Sequence, residues 1–136
     1  MAKTENQIER DFFALVKDSS LGKAIRGKVL RRGQRADNAK TEDCIVKFLG
    51  GVDMQVQTGT VILNVYVPYV PNSTGKMCED LTRIGELEDA AISFVKNCHD
   101  TDYDIETETT PQTYPQDEIE QSIIAIRIKF QRLNQE

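Results

Sequence analysis

The sequence predicts an α+β fold, a largely antiparallel sheet with an N-terminal helix and one long amphipathic helix packed on one face. Three observations predict it. Apolar residues recur every three or four positions in two stretches, at about 5–18 and 76–98. They alternate at every second position in three others, at 44–49, 60–67 and 123–130. Strand patterns also come in runs rather than in strict alternation with helices, which is the signature of α+β rather than of a parallel sheet. At 136 residues with 39% hydrophobic side chains, the chain suits a single domain with a core of its own.

The first helix opens at Thr4, whose T-x-x-Q pattern with Gln7 is a capping box, and Ile8, Phe12, Leu15 and Val16 follow at helical spacing. Asp18, Ser19 and Ser20 stop it, and Leu21 to Ile25 reads as a further short turn before Gly27. Val29 and Leu30 predict a brief strand, and RRGQRADNAKT a polar, exposed and mobile loop. Cys44, Val46 and Phe48 alternate with Ile45, Lys47 and Leu49 until Gly50-Gly51 ends the strand, leaving 50–57 as a connection. The strongest strand is 60–67, with Val61, Leu63, Val65 and Val67 on one face, closed by Pro68 and Pro71.

Residues 72–75 form a turn into the long helix, whose stripe is Met77, Leu81, Ile84, Leu87, Ala91, Phe94 and Cys98. Gly85 inside it predicts close packing against the sheet, since glycine costs a helix about 1 kcal/mol relative to alanine. The end of the chain reads as a hairpin of 103–109 and 118–132 joined by TPQTYPQ. Phe12, Val46, Val65, Leu81, Leu87, Ile126 and Ile128 are the expected core.

The formal charge of −5 is unevenly spread. Residues 1–40 carry ten Lys and Arg against five Asp and Glu, and residues 41–136 carry seven against seventeen. The basic window is 23–40 and the acidic one 100–120, which holds no Lys or Arg. Opposite fields on one small domain attract nucleic acid to one side or drive head-to-tail self-association, and the low pI disfavours the former. The basic window also lacks the interleaved aromatic residues that single strands stack on.

No run approaches the length of a spanning helix, and the N-terminus is not secretory in pattern, so neither a membrane nor export by a standard signal is expected. Cys44, Cys78 and Cys98 make an odd count without CxxC spacing, which fits a reducing compartment with all three as small core residues.

Catalytic and metal chemistry find little support. Asp100, Asp102, Asp104, Glu106 and Glu108 alternate, so an extended chain puts five carboxylates on one side. A calcium loop nevertheless fails there, with Ile105 at the glycine position and Pro111 at the final glutamate. His99 follows Cys98, but adjacent side chains project apart and nothing else completes a nucleophile–base pair. Phosphate-binding glycine motifs, a nucleophile elbow and HExxH are absent from the sequence. The expectation is a non-enzyme with neither cofactor nor metal.

The succession IERDFFALVKDSSLGKAIRGKV, TEDCIVKFLGG, QTGTVILNVYVPYV, EDLTRIGELEDAAISFVKN and EIEQSIIAIRIKFQRLN resembles the phage tail completion, or tail terminator, proteins over residues 8–132. Gly27-Lys28-Val29 and the strand at 60–67 are the most specific matches, while 31–40 lacks the proline-rich character often seen before the second strand. The resemblance implies a structural protein of virion or host cytoplasm, prophage-encoded where the gene lies in a bacterial genome. It further implies a homo-oligomeric ring, commonly hexameric, that caps the tail tube and meets the head connector without sequence-specific nucleic-acid binding. Within such a ring, a basic patch of Arg31, Arg32, Arg35 and Lys40 would meet an acidic stripe of Asp102, Asp104 and Glu106 on a neighbour. The alternative is a small cytoplasmic adaptor or regulatory module that binds protein or nucleic acid through the basic loop.

Overall fold

Alternation in the longest strands and two amphipathic stripes generate a two-layer α+β structure, seen in a computed structural model that describes residues 2–133. The helices are α1 (Glu5–Lys17), α2 (Ser20–Ala24) and α3 (Leu81–Asn97). The strands are β1 (Val29–Arg31), β2 (Cys44–Val52), β3 (Val56–Pro68), β4 (Val70–Pro71), β5 (Met77–Cys78), β6 (Asp104–Thr107), β7 (Gln112–Gln116) and β8 (Gln121–Leu133). The main sheet runs β1-β2-β3-β8-β6, with β7 in line with β6 on the same edge of β8. Only β1 with β2 is parallel.

β3 and β8 form the centre. Val61, Leu63 and Val65 lie opposite Ile128, Ile126 and Ile124, and all six are fully buried. The same face takes Ile8, Phe12 and Val16 of α1 and Ile84, Leu87, Ala91 and Phe94 of α3 into one core. Phe130 sits at its end among Phe12, Phe48 and Tyr103, with ring centroids 5.5, 6.3 and 5.7 Å away. The opposite sheet face carries half-buried Ile62, Asn64, Tyr66, Ile123 and Ala125. Thr4 and Gln7 make the reciprocal bonds of the capping box.

Several expectations are corrected. β2 does not end at Gly50-Gly51: it continues to Val52 through an irregularity between Phe48 and Gly50, and β3 starts already at Val56. Glycine is needed here for closeness. A Cβ on Gly51 would lie 2.3 Å from the Thr58 carbonyl oxygen, and one on its partner Gly59 2.8 Å from the Phe130 ring. The segment TPQTYPQ is not merely a connection, because 112–116 pairs with β8; its Pro115 is tolerated on an outer strand.

The long helix begins at Leu81, not at 76, because Met77 and Cys78 pair with Pro71 and Val70 and Asp80 caps the first turn. Leu81 is 71% exposed instead of core. At about 100° per residue it stands about 60° to one side of Ile84, whereas Leu87 and Phe94 fall on the other side. Ile92, on the same flank as Leu81, is exposed too. Cys44 is a core residue and Cys98 packs partly against the core, but Cys78 lies in the small β4–β5 ladder outside it.

Gly85 does not pack closely either: a Cβ there meets nothing within 4 Å. Gly85→Ala is therefore expected to stabilise the protein by about 0.5–1 kcal/mol, through helix propensity and a less flexible unfolded chain. Thermal denaturation should show a midpoint raised by about 2–4 °C, and a lowered midpoint would mean that the open space is used.

Candidate functional site

The strand order carries the charge asymmetry of the sequence into space. The basic window ends in β1 and the loop after it, at one edge of the sheet, and the acidic window forms β6, β7 and their connections at the other.

The basic edge is built on buried carboxylates. Glu42 and Asp43 precede β2, and neighbouring residues of an extended chain point to opposite faces. Glu42 turns to the helices, where it accepts from Arg83 Nε and Nη2 at 2.9 and 2.7 Å. Arg83 Nη2 also donates to the Ala24 carbonyl, so one guanidinium ties α3, α2 and the sheet. Asp43 turns to the open face and accepts from Arg35 Nε at 2.9 Å and from Thr41 Oγ1 at 2.6 Å.

The chain passes closely over this pair. The backbone N–H groups of Arg26, Gly27 and Lys28 donate to Glu42 Oε1, the Glu42 carbonyl and Asp43 Oδ1, at 2.9, 2.9 and 2.8 Å. The next ladder bond, from Cys44 N–H to the Lys28 carbonyl, opens the parallel pairing of β1. A third buried acid, Glu9 of α1, accepts from Arg31 Nε and from the Phe48 N–H, and it is 3.1 Å from Arg32 Nε. Glu9 thus continues the outer edge of β2 where β1 stops.

The expected basic patch is consequently much reduced. Arg31 is held by Glu9 and Asn6. Arg35 is held by Asp43, Gln121 and two carbonyls, and lies 3.8 Å over the Tyr66 ring, so the loop is fastened across the open face. Arg32 remains largely exposed while its Nε is fixed by Glu9, and Lys40 is exposed. Asn6, Glu9, Phe13, Leu30, Arg31, Arg32, Gly33, Gln34 and Lys47 line an open groove of about 880 Å³ at the end of β1.

The acidic stripe is reduced as well. Asp100 accepts from the backbone N–H groups of Asp102 and Tyr103, a turn that breaks the extended run. Asp102 bonds Lys3 and Arg132. Asp104, Glu106 and Glu108 share the open face of the sheet; Glu106 lies 3.9 Å from Lys129, and Glu108 accepts from Thr60.

Cys98 and His99 line a separate cleft of about 640 Å³ between α1 and the end of α3. Burial, then the charge of Asp100, pushes the Cys98 thiol up, opposite to the shift that activates a nucleophile. Burial and the neighbouring Asp43 push Cys44 up to about 12. Among the described residues no group of three or more His, Cys, Asp or Glu is placed to hold a metal ion, and no helix is long and apolar enough to cross a membrane.

Sequence reasoning singled out none of Glu9, Glu42, Asp43 or Arg83. Glu9 sits beside the Ile8 and Phe12 stripe and Glu42-Asp43 directly precede a strand, the only local signals they give.

Asp43 makes stability acid-dependent. Burial alone would raise its pKa, but hydrogen bonds from Thr41, the Lys28 backbone and Arg35 hold the carboxyl below its ordinary range. Its contribution is full above the unfolded value of about 3.9, and is lost as pH falls through the lower folded value, because the unfolded chain takes the proton first. Denaturation midpoints measured from pH 6 to 2 should fall in that window, and Asp43→Asn should flatten the fall; an unchanged slope would refute the assignment.

A scan against models of protein families finds no match to the chain, and a search of the curated proteins finds none either.

Proposed function

We propose that the chain is a structural, non-enzymatic tail completion protein, whose copies form a ring that caps a phage tail tube and joins it to the head connector. The placement of basic and acidic segments at opposite edges of one sheet carries this reading. A closed ring needs two unlike, complementary surfaces on every copy, and unlike edges supply them. The order of elements supports it as well, with Gly27-Lys28-Val29 entering the sheet over Glu42 and Asp43. Because Arg31 and Arg35 are held by internal carboxylates, the cations of the basic patch left for a neighbour in the ring are Arg32 and Lys40, and an adaptor or nucleic-acid role through the basic loop would have the same two.

Deleting the gene from its phage or prophage tests the proposal. Tail tubes of abnormal length without attached heads are the expected result. Particles with tails of normal length and joined heads would remove it.

A further inference from the structure

We propose that β6 of one copy adds as a strand to the outer edge of β2 on the next copy, in the groove beside Arg32 and Lys47. This deepens the ring reading and rests on its premise that copies of the chain meet each other.

Two incomplete edges motivate it. β1 pairs with β2 only as far as Arg31 with Val46, whereas β2 runs on to Val52. Beyond that point Glu9 takes the Phe48 N–H, and the groove opens between the end of β1, α1 and Lys47. At the far edge of the same sheet, β6 pairs with β8 alone among the described strands. Open edges recruit extended chains, and of the two strands that pair with β8 alone on that side, β6 carries carboxylates whereas β7 (Gln112–Gln116) carries no charge.

Charge selects the occupant. Arg32 lines the groove with its Nε fixed by a buried carboxylate and its side chain 59% exposed, and Lys47 of the open face lines the same groove. β6 carries Asp104 and Glu106 on that same face of its own sheet, with Ile105 toward the helix side. A sheet continued from copy to copy keeps its faces, so the carboxylates of β6 come to the side that carries Lys47. Like edges repel: two grooves bring cations together and two β6 strands bring carboxylates together, which leaves head-to-tail pairing. Heterologous pairing of this kind closes into rings. The four residues of β6 make a short ladder, so the contact depends on charge and weakens with salt.

The test uses two variants of the full chain, Arg32→Gln with Lys47→Glu, and Asp104→Lys with Glu106→Lys. Glutamine at 32 keeps a donor for Glu9, and Lys47→Glu alone serves if the pair does not fold. Folding is verified by circular dichroism and thermal melting, and mass by analytical ultracentrifugation at low salt. The wild type should sediment as a ring, each variant alone as a monomer, and the equimolar mixture as a ring again, because each variant then offers the other an opposite edge. The contact is refuted if the wild type stays monomeric at high concentration, if either folded variant keeps the ring mass alone, or if the mixture of folded variants stays monomeric. Loss of bound nucleic acid from the groove variant with unchanged mass refutes it too. No tail component takes part, so the two readings fail separately. Rings that follow this charge rule but never cap tubes would remove the tail reading alone; tube-capping rings indifferent to these charges would remove the contact alone.

Discussion

Gly27→Ala is expected to destabilise the protein by about 3 kcal/mol or more, although the position is neither in a turn of positive φ nor in the hydrophobic core. The added methyl would stand 2.3 Å from Asp43 Oδ1 and 2.5 Å from the Glu42 carbonyl oxygen. One obstacle is backbone and the other a buried carboxylate held by Arg35, Thr41 and Lys28, so neither can move aside as a flexible side chain does. Relief requires lifting 26–28 off the pair, which stretches three hydrogen bonds from backbone N–H groups together and disturbs the start of β1. Chemical denaturation gives the number. A loss below about 0.5 kcal/mol, the range of surface substitutions, would show that the approach is not as close as described.

Glu42→Ala carries the second large effect, about 3–5 kcal/mol, because it leaves the Arg83 guanidinium partly buried without its main partner and strands the Arg26 N–H. Removing both charges should be milder. If stranded charge is the cause, Glu42→Met with Arg83→Met recovers part of the loss, whereas a purely additive double variant would assign it to lost packing. The Glu86 contact of Arg83 is solvent-exposed and should add little: Glu86→Ala is expected within about 0.5 kcal/mol of wild type.

These residues also mark where local pattern stops being informative. The alternation of 60–67 identified β3 and its buried face, because an apolar residue at every second position has one arrangement that buries the set. The T-x-x-Q pattern located the start of α1, since the bonds it encodes close within one turn. Two prolines hid β7, whose pairing partner lies across the sheet and not in the segment itself. Spacing of three and four placed Leu81 in the core, because such intervals do not say which side of a drifting stripe meets the sheet. The basic and acidic windows were visible as composition, but which charges stay exposed was not. That depended on Glu9, Asp43 and Lys3, which reach Arg31, Arg35 and Asp102 through the fold.

The thirteen-residue strand β8 has a consequence for how the chain is made. It fills one long side of β3 and is, among the described strands, the one that pairs with β6 and β7, yet it is the last of the described elements to leave the ribosome. Until it emerges, β3 presents a row of unpaired N–H and C=O groups along its free edge, beside the apolar face of Val61, Leu63, Val65 and Val67, and the nascent β6 and β7 lack β8 to pair with. From the end of β3 to the end of β8 the ribosome adds 65 residues, and over that interval the unpaired strand is exposed to aggregation; chains stalled before residue 121 are expected to be insoluble rather than partly folded.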